Sequence, residues 1–148
     1  MIKVPPSILR DVYAHMEASY PHECCGLLIG TSDGDTRVVH ASRKCRNLNT
    51  ERAHDRYEMD PMCWLSTERE FEGGPWSIVG IYHSHPDHPS RASQTDTDAA
   101  LGAGMLNYSY VITSVQKGTV AGSQSWVLNE AEKRMNEEPL VVDEGDRK

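Results

Sequence analysis

The chain has 148 residues, and its 15 Lys and Arg against 22 Asp and Glu give a formal net charge of −7 at pH 7. This length suits one domain with a sizeable core and is too short for an eight-stranded β/α barrel of about 250 residues. Negative net charge argues against nucleic acid as a partner, because phosphate backbones bind basic surfaces. No apolar run approaches the roughly 20 residues of a membrane span, and no signal-peptide core is visible. We therefore expect a cytoplasmic protein.

The first half of the chain predicts a helix, a hairpin and a second helix. Residues 4–19 carry apolar side chains at helical spacing. Residues 24–30 form a short apolar run, and residues 36–46 follow a turn, so the two segments predict a β-hairpin. Residues 47–57 are polar and predict a loop. Asp60 and Pro61 then suit the N-cap and first position of a helix that continues to about residue 72.

The second half predicts strands around a third helix. Strands are predicted at residues 76–85, 108–115 and 123–128, a helix at 94–106, and a short edge strand at 140–142. Strands interspersed with helices favour an α/β (α+β mixed) fold, in which a mixed sheet is packed by about three helices. We expect one domain over residues 1–142 and a solvated acidic tail over 143–148.

The cysteine pattern favours reduced thiols. The chain contains Cys24, Cys25, Cys45 and Cys63, and no CxxC pair occurs. A zinc site of four cysteines and a redox CxxC motif are therefore not supported. Without a secretion signal, we expect all four thiols to be free.

A histidine pair at the end of a predicted strand is the first sign of chemistry. His83 and His85 are separated by one residue, and side chains at i and i+2 share a face of a strand. Zinc favours imidazole nitrogen and needs convergent ligands of this kind. An HxH pair alone is a weak signal, and its context must carry the argument.

A carboxylate follows at a suitable distance. Asp96 falls in the first turn of the predicted third helix, where it can face the end of the histidine strand. Two His and one carboxylate leave the fourth tetrahedral position for water, as in catalytic zinc sites. Ser93 and Asp96 also fit a helix capping box, and the two interpretations are compatible. Asp98 is a rival ligand, but it points about 200° away around the helix.

A metal hydrolase also needs a base for its water. Glu23 is the best candidate, because it lies between the first helix and the first long strand. An ordinary exposed glutamate is the alternative interpretation of Glu23.

Three other metal motifs do not fit. Residues 22–26 begin like HExxH, but Gly26 occupies the second His position. Residues 83–88 fit an HxHxDH pattern, yet residues 89–148 contain no histidine to complete a metallo-β-lactamase site. The HxE…PCxxC signature of zinc deaminases is absent.

Taken together, Glu23, His83-Ser84-His85-Pro86, six further residues, and Ser93-x-x-Asp96 resemble the JAMM (MPN-plus) metalloprotease family. The stretch at residues 21–30, PHECCGLLIG, is similar to the bacterial branch that processes ubiquitin-like sulfur carriers. The likeness covers roughly residues 3–130.

The resemblance implies a cytidine-deaminase-like JAMM fold and one Zn2+ per chain, held by His83, His85 and Asp96. It also implies that Glu23 deprotonates the attacking water and that Ser93 stabilises the oxyanion. The implied substrate is a ubiquitin-like sulfur-carrier protein, cleaved after its C-terminal Gly-Gly to release an amino acid such as cysteine, or a tail. No nucleic acid or membrane partner is implied, and the sequence favours no particular oligomeric state.

Two other functions stay open at this stage. The chain could be a non-catalytic binding module, although the complete set of motif residues argues against it. It could also be a zinc amidase on the same fold that acts on a peptide or small molecule.

Overall fold

Residues 1–142 are described by the computed structural model, and over this range three helices and eight strands form one layered fold. The elements in chain order are β1 Ile2–Val4, α1 Pro6–Ser19, β2 Cys25–Asp33, β3 Thr36–Cys45, α2 Pro61–Phe71, β4 Ser77–Pro86, α3 Gln94–Ala103, β5 Ser109–Gln116, β6 Thr119–Asn129, β7 Arg134–Glu138 and β8 Leu140–Val142.

All eight strands belong to a single mixed sheet in the order β7-β6-β5-β4-β2-β3-β1-β8. The pairs β2–β3, β2–β4, β5–β6 and β6–β7 are antiparallel, whereas β4–β5, β1–β3 and β1–β8 are parallel. The predicted mixed, mostly antiparallel sheet with about three helices is confirmed. β4 lies in the middle of this sheet, so its C-terminal end is covered from both sides.

Two short strands were not evident from local patterns. β1 has three residues and pairs with β3 and β8. β7, in a segment between two predicted strands for which the sequence predicts no element, forms a hairpin with β6. β1 depends on partners that are distant along the chain, and β7 has the sequence RMNEE with one apolar residue, so hydrophobic periodicity predicts neither strand. The helix predicted at 94–106 ends at Ala103, because Gly104 adopts a left-handed conformation and caps it. The tail predicted at 143–148 lies outside the described residues.

Helices cover both faces of the sheet, and the sheet separates two hydrophobic cores. One face packs α1 against the strands through Val12 and Met16. The other face packs α2 and α3 and includes Ile81, Ala100 and Tyr110. Among the described residues, no helix combines the length and apolar character that a bilayer crossing requires.

A glycine on β2 permits close packing in the first core. Gly26 lies opposite Tyr82 in the β2–β4 register, and a Cβ atom there would fall 2.2 Å from the Tyr82 ring. The Tyr82 hydroxyl reaches His15 Nδ1 at 2.7 Å. The glycine in PHECCGLLIG therefore lets an aromatic ring lie across the strand and contact α1.

The expectation of four free thiols is wrong for one pair. Cys45 at the end of β3 and Cys63 in the first turn of α2 form a disulfide, with Cα atoms 5.7 Å apart. Cys24 and Cys25 are free and buried. The chain between the bonded cysteines folds back, and this long-range contact is invisible in cysteine spacing alone. The disulfide closes the loop between β3 and α2, and residues of this loop form one wall of the candidate site.

We predict that reducing this disulfide destabilises the fold without unfolding it outright. The bond spans 18 residues of chain, and closing a loop of this size contributes about 3 kcal/mol to the free energy of unfolding. Urea denaturation with and without a phosphine reductant measures the change. The variant Cys45→Ser/Cys63→Ser should be equally destabilised and insensitive to reductant. Four titratable thiols in the denatured, unreduced protein would contradict the prediction.

Candidate active site

The two histidines of the motif lie at the centre of the sheet. His83 is opposite Cys25 on β2 and Ile112 on β5. His83 is fully buried and His85 is 6% exposed. Because they are two residues apart on β4, their rings project from the same face, as predicted from the strand period.

The side chain of Asp96 meets both rings. The Nε2 atom of His83 lies 3.3 Å from Asp96 Oδ1, and that of His85 lies 3.1 Å from Oδ2. The two Nε2 atoms are 3.1 Å apart. One potential ligand atom from each residue falls within 4.8 Å of the others, and the group is compatible with a metal ion.

The donor set fits zinc in kind and spacing. Two nitrogens bound to tetrahedral zinc at 2.0–2.1 Å lie about 3.3 Å apart, close to the 3.1 Å between these Nε2 atoms. His85 Nδ1 lies 2.8 Å from the Pro89 carbonyl oxygen. Donation of the Nδ1 proton to that carbonyl leaves Nε2 with a free lone pair, the tautomer a metal requires. Zinc coordination by these residues remains a prediction.

Electrostatics in the cluster favour an ionised carboxylate between two imidazoles. Burial opposes the ionisation of Asp96, but His83, His85 and the Ser93 N–H together hold its pKa well below its ordinary value. Burial lowers the pKa of His83. It would also lower the pKa of His85, but Asp96 and the Pro89 carbonyl outweigh it and raise that pKa. A cation at the centre of the cluster is therefore favoured.

Ser93 caps α3 and also faces the site. Its hydroxyl oxygen accepts the Asp96 N–H at 3.0 Å, and its own N–H donates to Asp96 Oδ2 at 3.0 Å. This reciprocal capping box aims Asp96 at the histidines. The rival Asp98 is exposed and accepts a hydrogen bond from Gln94 instead. The capping oxygen is an acceptor, so the hydroxyl proton of Ser93 is available for donation.

Glu23 is buried beside the cluster, not exposed as in the alternative interpretation. Its carboxyl group is withdrawn from solvent, with 6% of the residue exposed. Its N–H donates to the Ala53 carbonyl, and its own carbonyl accepts from Asn47 Nδ2 at 3.0 Å. Ser84 lies between the two histidines and holds Cys24, the residue after Glu23. The Ser84 hydroxyl oxygen accepts the Cys24 N–H at 3.0 Å. These bonds fix Glu23 near the end of β4.

The surroundings of Glu23 favour a proton on its carboxyl group in the metal-free site. Burial raises its pKa to about 8, with His85 lowering it and Asp96 raising it. A carboxyl group with a pKa near neutrality can both take up and release a proton, as a general base and acid must.

Three supporting residues were missed by sequence reasoning as parts of the site. Tyr57 stacks on the His83 ring, with centroids 4.5 Å apart. Asn47 and Ser84 position the segment that carries Glu23. Their signals are weak in isolation, since a polar residue in a loop or between two histidines gives no indication of its partner.

Three cavities border Glu23, and two of them also border other residues of the motif. The α2–α3 cavity, of about 480 Å3, is bordered by Ile81, Trp64, Met105, Tyr110 and the catalytic candidates Glu23 and Asp96. The loop cavity, of about 370 Å3, is bordered by Arg56, His88, Arg91, Ser93, Glu23 and His85. A larger cavity of about 610 Å3 lies at the C-terminal end of α2 and shares no lining residue with the motif.

A family described as prokaryotic homologs of the JAB domain matches residues 5–129. The chain belongs to this family. The resemblance inferred from the motif is thereby confirmed, and the matched residues include every candidate site residue.

Named relatives are similar to most of this chain. A desampylase of Haloferax volcanii is 37% identical over 73% of the chain and 73% of its own length. A tail tip assembly protein K of Escherichia phage N15 is 33% identical over 61% of the chain but only 34% of its own length. A probable TtuB-protein conjugate cleaving protease of Thermus thermophilus is 29% identical over 68% of the chain and 64% of its own length.

Solved structures share the fold. The solution structure of a protein from Desulfitobacterium hafniense has a TM-score of 0.82 at 28% identity and covers 97% of this chain and 94% of its own. A JAB1/MPN domain protein from Archaeoglobus fulgidus has a TM-score of 0.60 at 15% identity, covering 95% and 97%. This second likeness shows the JAB/MPN fold alone.

We predict that Asp96→Ala abolishes metal binding and that Asp98→Ala does not. Asp96 lies 3.1–3.3 Å from both Nε2 atoms, whereas Asp98 is exposed and faces away. Elemental analysis after gentle purification should find about one zinc ion per chain in the wild type and in Asp98→Ala. If Asp96→Ala retained the metal and Asp98→Ala lost it, Asp98 and not Asp96 would be the metal ligand.

We also predict a pH dependence of stability that belongs to Glu23. Its pKa in the metal-free fold, about 8, exceeds the ordinary 4.5, so the folded state binds this proton more tightly than the unfolded state. This contribution to stability is complete below about pH 4.5 and is lost as pH rises to about 8. Urea unfolding of chelator-treated protein should show Glu23→Gln gaining stability relative to wild type across this range. A constant difference between the two would contradict the prediction.

Proposed function

We propose that this protein is a zinc-dependent peptidase or isopeptidase acting at the C-terminal Gly-Gly of a ubiquitin-like sulfur-carrier protein. It would release an amino acid such as cysteine, or a tail. The observation that carries this proposal is the convergence of His83, His85 and Asp96 beside a buried Glu23. Non-catalytic packing does not require a carboxyl group of raised pKa beside such a donor set.

The relatives support the class of substrate. One is named a desampylase, and another is named as a probable protease that cleaves TtuB-protein conjugates. Cleavage of a protein conjugate is amide hydrolysis at the end of a protein tail. The same chemistry suits the site described above.

Each residue of the set has one role in the proposed reaction. His83, His85 and Asp96 would hold the zinc ion, which when bound supplies Lewis acidity and a more acidic water molecule. Glu23 takes the proton from the attacking water and passes it to the departing amine nitrogen. The Ser93 hydroxyl donates a hydrogen bond to the developing oxyanion, a contribution of about 3–4 kcal/mol in comparable sites.

The shape of the site supports glycine at the scissile bond. Both histidines lie at the bottom of the site, with His83 fully buried, so a bulky side chain next to the scissile bond would have little room. A flexible tail can lie extended beside the end of β4. The α2–α3 cavity offers Trp64 and Met105 to apolar side chains further along the tail.

The proposal includes a cytoplasmic location and a single catalytic domain over residues 1–142. Both were expected from the sequence and remain predictions.

We predict that Glu23→Gln keeps the metal and loses cleavage. Removal of a general base typically lowers turnover by about 100- to 10,000-fold, while the metal ligands are untouched. Mass spectrometry of sulfur-carrier proteins with C-terminal extensions follows the products, and elemental analysis follows the metal. Glu51→Gln, at an exposed position in the loop before α2, is the matched control.

The outcomes separate the competing functions. Full turnover by Glu23→Gln would show that Glu23 is not the base. Wild-type protein that is metal-loaded and binds the carrier without cleaving it would identify a binding module instead.

A further inference from the structure

The α2–α3 cavity and the loop cavity, which border Glu23 and other motif residues, differ in charge. Acidic residues around the α2–α3 cavity outnumber basic ones by five to one: Glu23, Asp55, Glu58, Asp60 and Asp96 against Arg56. The loop cavity has two arginines, Arg56 and Arg91, for its two acidic residues, Glu23 and Asp55. An anionic group of a substrate would therefore be repelled from the first cavity and accepted in the second.

The uncompensated charge in the loop cavity belongs to Arg91. Asp55 is already paired with Arg52, and Arg56 Nη1 lies 3.6 Å from it and donates to its carbonyl at 2.8 Å. Within residues 1–142, by contrast, the exposed Arg91 has no ion pair or side-chain hydrogen bond. Its guanidinium is free to bind a carboxylate in a two-pronged geometry.

The loop that carries Arg91 is held in place. The His88 carbonyl accepts the Ser114 hydroxyl at 2.6 Å, the Pro89 carbonyl lies 2.8 Å from His85 Nδ1, and the Ser90 carbonyl accepts Trp126 Nε1 at 3.1 Å. Three consecutive carbonyls are thus anchored to β4, β5 and β6. A cation on an anchored loop, two residues before Ser93, requires little ordering when a ligand binds.

We infer that the loop cavity, through Arg91, binds the α-carboxylate of a single amino acid that leaves when the amide bond is cleaved. The inference rests on the proposed hydrolase function and refines its substrate class. A volume of about 370 Å3 is at the small end of ligand pockets and suits one residue.

The chemistry fixes the direction of the substrate. Hydrolysis adds water to the glycine carbonyl and breaks its C–N bond; the acyl part leaves as a carboxylic acid, and the nitrogen part leaves as an amine that has gained a proton. In a chain that ends one residue after Gly-Gly, the only carboxylate next to the scissile bond lies on the amine side. The amine side therefore lies in the loop cavity, and the carrier tail runs toward the α2–α3 cavity.

An acidic side chain on a conjugated protein could present the same carboxylate chemistry. The test therefore uses three substrates built on one sulfur-carrier protein: a one-alanine extension with a free carboxylate, the same extension as its carboxamide, and a conjugate through a lysine side chain. Cleavage rates are measured with zinc-loaded wild type. Affinities for the two extended proteins are also measured calorimetrically with the Glu23→Gln variant, as a readout independent of turnover.

We expect the carboxylate form to be cleaved and bound about tenfold better than the carboxamide. Arg91→Gln should remove this preference by raising KM with kcat little changed, since the contact exists equally in ground and transition states. Arg91→Lys should keep part of the preference. Arg10→Gln, which removes a surface arginine from α1, should keep all of it.

Several results would overturn the inference. Equal rates for carboxylate and carboxamide would do so while leaving the hydrolase proposal intact, as would preferential cleavage of the lysine conjugate. A preference that survives Arg91→Gln would place the carboxylate elsewhere. If none of the substrates were cleaved, the proposed hydrolase function would be wrong. Equal calorimetric affinities for the two extended proteins would separately show that the loop cavity does not bind the carboxylate.

Discussion

The candidate site depends on one constraint: two imidazole nitrogens and a carboxylate are buried together, and a proton or a metal ion must lie between the nitrogens. The Nε2 atoms of His83 and His85 are 3.1 Å apart, too close for two lone pairs without a proton or metal between them. Asp96 supplies the compensating negative charge and is itself fixed by its capping box with Ser93. Contacts among the two histidines and Asp96 thereby hold three segments together: the end of β4, the loop at Pro89 and the start of α3. Burying polar groups together in this way is costly, and buried clusters with strongly shifted pKa values are typical of functional sites.

The segment between β3 and α2 forms the second half of the site and depends on different contacts. Asn47 binds the Glu23 carbonyl, and Tyr57 stacks on His83. The Cys45–Cys63 disulfide joins the two ends of this segment. This polar loop is thus held against the histidines, and the proposed base and the proposed metal ligands keep fixed relative positions. Removing water from Glu23 is a consequence of this enclosure, and it raises the pKa of the carboxyl group to about 8.

In the proposed reaction, the fold also separates the two sides of the substrate. Between the sheet and α2 and α3 lies a mainly apolar cavity with an acidic border, and on the other side of Glu23 lies the loop that carries Arg91. A catalytic centre between two cavities of different chemistry can orient an extended tail without additional domains. In the proposed function, substrate recognition relies on these two cavities.

The sequence by itself determined the local chemistry. A strand period places His83 and His85 on one face, and a capping box places Asp96 in the first turn of α3, because both follow from backbone geometry over a few residues. Only the tertiary structure decided that Glu23, 60 residues before His83 along the chain, lies buried beside them. It also decided the Cys45–Cys63 bond, the pairing of β1 with β8 and the position of Arg91 at the loop cavity. These features depend on contacts between distant segments, and no local period or propensity encodes which segments meet.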